Sequence, residues 1–154
     1  GDYACVVLPG MMIPFPALFD RKLIDFLASL KGKELLIAAI SAGPMLLAKA
    51  GLLEDVHFTS GIWEEICQSL DFIPHQNILH RPLVKEKNII TAVGFAFREF
   101  AEEEVIRTLG IDPCEPGLFR GIYKEFTEQE MAHFMEEENF QHFLQKYQQW
   151  QQRQ

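Results

Sequence analysis

The sequence predicts an α/β fold, a three-layer α/β/α sandwich around a mostly parallel sheet, with an antiparallel hairpin and a helical C-terminal extension. Three observations predict it. Two continuous apolar runs, residues 4–8 (ACVVL) and 35–40 (LLIAAI), each stop at a small-residue turn, as buried parallel strands do. Stretches with apolar residues at helical spacing follow them, so strands and helices alternate. Two β-rich runs then flank a short polar turn, which is the pattern of a hairpin.

Each element follows in order. Residues 4–8 form the first strand, ended by Pro9-Gly10. Pro14 and Pro16 keep the next stretch in a loop. From Asp20, a helix presents Phe19, Leu23, Phe26, Leu27 and Leu30, and Gly32 stops it. Residues 35–40 are the second strand, and residues 43–50 are a short helix that Gly51 stops. Phe58-Thr59-Ser60 is a short strand. Trp63, Ile66, Cys67 and Leu70 then share one helix face. Residues 77–84 and 88–93 pair around Lys85-Glu86-Lys87. Helical spacing returns through Phe97, Phe100, Ala101, Val105 and Leu109. Two units result: an α/β domain over residues 1–118 and an amphipathic helical extension over residues 119–154. In the extension, Thr127 and Glu130 make a capping box. Met131, Phe134 and Met135 start an apolar face that Phe140, Phe143, Tyr147 and Trp150 continue, and residues 148–154 are polar and expected to fray. A strip of aromatics must be covered by something. The first reading packs this helix on its own sheet; the second makes it a dimer or partner surface.

Composition bounds the function. The chain has 154 residues, 48% hydrophobic and 23% charged, which suffices for one domain with a core. A net charge of -8 repels phosphate backbones, so no nucleic-acid partner is expected. No apolar run approaches the ~20 residues that span a bilayer, so no membrane role is expected. Three cysteines, Cys5, Cys67 and Cys114, contain no C-x-x-C pair, which fits a reducing, cytoplasmic setting. The chain starts at Gly1 and enters a strand almost at once, which reads as a fragment.

The chemistry centres on Ser41. Strand, sharp turn and helix meet there with small neighbours Ala39, Ala42 and Gly43, the arrangement that lifts a nucleophile out of an α/β backbone. The Ala42 N–H then serves as an oxyanion donor. The alternative is a serine N-cap with no chemistry. A nucleophilic serine needs a base. Among His57, His75, His80, His133 and His142, only His57 precedes a strand expected near the turn, which makes it the base candidate. Gly10 and Met11 follow the first strand at the ligand-binding end of such sheets and complete a candidate pocket with Ala42 and Gly43. Histidine and cysteine spacings fit no metal set, and no metal or other cofactor is expected. The cysteines read as structural.

Four blocks now align with a known family. VVLPG (residues 6–10), AAISAGPMLLAKAGLL (38–53), FTS (58–60) and KNIITAVG with EFA (87–94 and 99–101) resemble the ThiJ/PfpI family of the class I glutamine amidotransferase-like superfamily. The resemblance implies a flavodoxin-like fold, a cysteine nucleophile at the turn, often a histidine after it, a glutamate from an N-terminal turn, and frequent homodimers. Its members are described as amidases, proteases, glyoxalase- or deglycase-like enzymes, stress proteins or regulatory domains. This chain departs from the pattern. Ser41 stands at the cysteine position, Ala42 at the histidine position and Met11 at the second glycine of a Pro-Gly-Gly turn, and the first strand and the glutamate are missing. A thiol beside a helix start ionises near neutral pH, whereas a serine hydroxyl stays protonated without a base. Three readings follow. The first is a small-molecule-binding or regulatory, stress-related protein without Cys-His catalysis. The second is a hydrolase or amidase using Ser41 and a remote base. The third is a homodimer held by the aromatic tail.

Overall fold

The computed structural model describes residues 3–101 and 134–153. Four strands form one mixed sheet: β1 (Cys5–Leu8), β2 (Leu36–Ile40), β3 (Leu83–Glu86) and β4 (Ile89–Ala92). Their spatial order is β1-β2-β4-β3; β1, β2 and β4 run parallel and β3 is antiparallel to β4. Alternation along β2 divides the core. Ile37 and Ala39 face the layer containing α1 (Phe15–Leu18), α2 (Arg21–Ala28), α3 (Gly43–Lys49) and α4 (Glu64–Ser69). Leu36 and Ala38 face the opposite layer, where Ala96 and Phe100 flank the short α5 (Phe97–Glu99). Helices therefore cover both sides of the sheet, the flavodoxin-like α/β arrangement.

Local chemistry explains the boundaries. The Asp20 carboxylate accepts from the Leu23 N–H at 3.2 Å and starts α2. Gly32 sits at φ +78° beyond its end. The stretch expected as a loop around Pro14 and Pro16 contains the one-turn helix α1. Pro16 lies in its first turn, where a missing N–H costs nothing. Phe58-Thr59-Ser60 is not a strand in a ladder; it makes one parallel bridge, Phe58 to Ile78. The Thr59 N–H instead donates to the buried Thr91 hydroxyl at 2.9 Å, so a side chain replaces the ladder bond. The hairpin is shifted from its expected position. Lys85 and Glu86 belong to β3, and the turn is Lys87-Asn88 with Lys87 at φ +54°. A two-residue connection needs that left-handed backbone to match the strand twist.

The capping box at Thr127 and Glu130 and the helix expected beyond residue 101 lie outside the described residues. The last helix, α6 (Glu137–Gln151), continues through residues 148–151, where fraying was expected. Its aromatic face packs on its own domain. The Phe143 ring lies 5.1 Å from Phe15, and Tyr147 lies 5.4 Å from Phe19. Burial, with the Asp71 charge second, raises the Tyr147 phenol above its ordinary pKa.

Candidate functional site: a crowded serine turn beside an apolar pocket

Ser41 follows β2 and leads into α3 with φ +61°, a left-handed conformation that costs a side-chain-bearing residue about 1–2 kcal/mol. Two hydrogen bonds hold it there. The Ser41 N–H donates to the Ala92 carbonyl at 2.8 Å, and the Gly61 N–H donates to the Ser41 carbonyl at 2.9 Å. Three glycines give the side chain its room. A Cβ on Gly10 would stand 2.8 Å from the Ser41 Cβ. One on Gly94 would stand 3.3 Å from Oγ, and one on Gly61 3.2 Å from Cα. Three chain segments thus close on one serine because none carries a side chain there. Gly43 serves differently. A Cβ on it would meet the Leu8 carbonyl at 3.0 Å, so its absence lets α3 start against the end of β1.

Beside the turn lies a cavity of about 150 Å³. Met11, Met12, Phe15, Met45, Trp63 and Ile66 are among its walls, with Ser41 and Ala42 at one end and Met135 and Phe143 on another side. Among the described residues no charged side chain lines it, and its polar side-chain groups are the Ser41 hydroxyl and the Trp63 indole N–H. Four of the chain's five methionines are on this wall, which makes the wall soft and adaptable rather than rigid. Trp63, expected on a helix face, is instead the extended N-cap of α4 and is thereby free to line the cavity.

The candidate residues separate on inspection. Met11, Ser41 and Ala42 meet at the cavity; Gly10 lies against the Ser41 side chain and Gly43 against Leu8 and Ala39. His57 does not join them. Its Nδ1 donates to the Glu86 carboxylate at 2.8 Å, and Glu86 pairs with Ile89 at the start of β4. Ser41 lies beside Ala92 at the other end of that strand, about 10 Å away at strand rise. The carboxyl of Glu86 is held below its ordinary pKa, first by the hydrogen bond from the His57 ring. His80 is also engaged elsewhere: its Nε2 donates to Glu64 at 2.7 Å. Among the described residues, the Ser41 hydroxyl has no hydrogen-bond partner, histidine or otherwise. No hydrogen bond there takes the N–H of Met11 or Ala42.

Neither described thiol lines the cavity. Cys67 is 2% exposed, and burial followed by the Glu64 charge pushes it up to about 12. Burial also raises Cys5. Cys114 lies outside the described residues. No group of three or more His, Cys, Asp or Glu able to hold a metal occurs among the described residues. No helix there is long and apolar enough to cross a membrane.

The DJ-1/PfpI family model matches residues 1–106, more than two thirds of the chain. The chain belongs to the DJ-1/PfpI family. Solved structures agree in fold. A two-domain protein with DJ-1/ThiJ/PfpI-like and ferritin-like domains from Anabaena variabilis aligns over 75% of this chain and 33% of its own, at 23% identity and TM-score 0.61. A ThiJ/PfpI family protein from Bacillus anthracis aligns over 70% and 50%, at 22% identity and TM-score 0.58. DJ-1beta from Drosophila melanogaster aligns over 71% and 65%, at 27% identity and TM-score 0.51. This DJ-1/PfpI chain therefore spans between 33% and 65% of these proteins' lengths. No curated protein matches the sequence.

Sequence reasoning missed Gly61, Gly94, Trp63, Met135 and Phe143. One signal was available for Gly94. It stands two residues past an apolar strand, as Gly10 does, and marks the same end of the sheet. The others come from segments that periodicity cannot place next to Ser41.

Proposed function

We propose that this DJ-1/PfpI chain is a small-molecule-binding protein whose turn serine is a hydrogen-bonding post, not a nucleophile. One observation carries the reading. Among the described residues the Ser41 hydroxyl has no base and opens onto an uncharged cavity walled by methionine and aromatic side chains. A serine in that setting keeps its proton. It can still donate to, or accept from, one polar group of an otherwise apolar guest. The N–H groups of Met11 and Ala42 are two further donors for the same oxygen. Apolar walls with a few convergent polar groups are the common form of a ligand site.

The strained backbone at Ser41 favours a second reading, a hydrolase or amidase using Ser41 with a remote base, because such strain clusters at functional sites. Binding of acetophenone, an uncharged ring with one carbonyl, tests the first reading by calorimetry. The wild-type chain is expected to bind it. Ser41→Ala is expected to weaken it about 2- to 10-fold, the value of one neutral hydrogen bond. Ser41→Leu is expected to abolish binding by filling the cavity. No binding to the wild type, or binding indifferent to both variants, defeats the reading.

A further inference from the structure

We infer that the C-terminal segment, Met135 and the Phe143 face of α6, is the wall that sets which guest the serine pocket takes. The inference rests on the binding reading above and concerns the size and chemistry of the ligand. The core of the domain supplies only part of the cavity: the turn, the loop after β1 and the start of α4. Met135 and Phe143, from the C-terminal segment, furnish another side.

That side is fastened at two places. The Phe143 ring lies 5.1 Å from Phe15, itself a cavity residue, and stacks on Tyr147 at 6.3 Å and 8° between planes. Tyr147 carries the fastening on to Phe19, 5.4 Å away. At the other end, the Met135 N–H donates to the Glu65 carboxylate at 3.4 Å. Glu65 lies between cavity residues Trp63 and Ile66 on the first turn of α4. The C-terminal wall is thus tied to the residues that form the remaining walls, and the Phe143 ring, packed on Phe15 and Tyr147, is its firm part.

With that wall in place the cavity is about 150 Å³. An apolar cavity of about this size takes a guest the size of benzene. Among the described residues no charge lines the cavity, which disfavours ionic guests, since a buried charge without a partner is heavily penalised. The ligand class is therefore an uncharged molecule with one ring, or a branched chain of that size, and a single carbonyl-type oxygen directed at Ser41. A fused two-ring ketone is too long unless Phe143 is removed.

Calorimetry and saturation-transfer NMR on the full chain with acetophenone and 2-acetonaphthone test this. Wild type is expected to favour the single-ring ketone by about tenfold or more, the discrimination an apolar pocket gives for excess bulk. Phe143→Ala is expected to reduce or reverse that ratio by about tenfold. Should circular dichroism show that this variant does not fold, Phe143→Leu is expected to move the ratio the same way by less. Met135→Trp approaches from the other direction and is expected to weaken acetophenone without touching Ser41. A size preference that no folded Phe143 or Met135 variant changes overturns the inference, while acetophenone binding that still depends on Ser41 leaves the binding reading intact. Absence of any ketone binding in wild type and variants defeats both.

Discussion

The two ends of the sheet are built from different chemistry. At the end where β1, β2 and β4 finish, three glycines crowd a strained serine, and no described residue lining the adjoining cavity carries a charge. At the opposite end, Lys33, Glu34, Lys85 and Lys87 border an open cleft, and His57 and Glu86 pair in the solvent. His57, the base candidate, is thus held with Glu86 at the end that the turn serine does not reach. Proximity in a fold is set by strand direction, not by residue type. A histidine at the start of a segment that runs toward the site lies a strand length away from it.

Substitutions at the two ends are expected to behave differently, and the largest effect belongs to the glycines. Gly10→Ala places a carbon 2.8 Å from the Ser41 Cβ. An overpacked position of this kind is expected to cost about 1–3 kcal/mol, measured by urea unfolding, and to lose acetophenone binding. A fully stable Gly10→Ala would show that the crowding at the turn is not real. Next is Ser41→Gly, which removes the penalty of a left-handed side-chain-bearing residue. Part of that gain is lost to the more flexible unfolded chain, and a net stabilisation of about 0.5–1 kcal/mol is expected. Destabilisation would indicate that the hydroxyl has a structural partner.

Cysteine reactivity sharpens the contrast further. Cys67, pushed up to about 12 and 2% exposed, is expected to resist iodoacetamide in the folded chain at pH 8 and to react fully in urea. Peptide mass spectrometry reads this directly, and rapid native labelling at Cys67 would contradict its burial. The smallest effect belongs to the far end. The Glu86 carboxyl is held low in the folded state, so its contribution is in place above the ordinary carboxylate range and disappears as pH falls through the lowered value. Glu86→Gln is expected to lower Tm slightly at pH 7, with the difference closing in acid, because an exposed pair contributes little. Ketone binding should not change. A loss of binding in this variant would join the two ends functionally.

The backbone pattern was legible because it rests on local rules. The apolar run before Ser41 reads as a buried strand, and Gly43-Pro44 reads as a helix start, since proline fits the first turn. The spacing of Phe140, Phe143 and Tyr147 reveals one helix face. What that face covers was not legible. Phe143 meets Phe15 across more than a hundred residues, and no periodicity encodes such a pairing. His57 misled for the same reason: its partner Glu86 is 29 residues away and sits on the antiparallel strand. The hairpin turn was displaced because Lys85 and Glu86 are polar by composition, yet they occupy the strand beside Ile90 and Ile89. Composition marks exposure there, not the turn.

The central claim is that Ser41 binds and does not attack. Treatment of the folded chain with a fluorophosphonate, followed by peptide mass spectrometry, tests it most directly. The expected result is no adduct on Ser41 at neutral pH, with Ser41→Ala indistinguishable from wild type. A stoichiometric phosphonyl adduct on Ser41, absent from Ser41→Ala, would contradict the account and establish an activated serine.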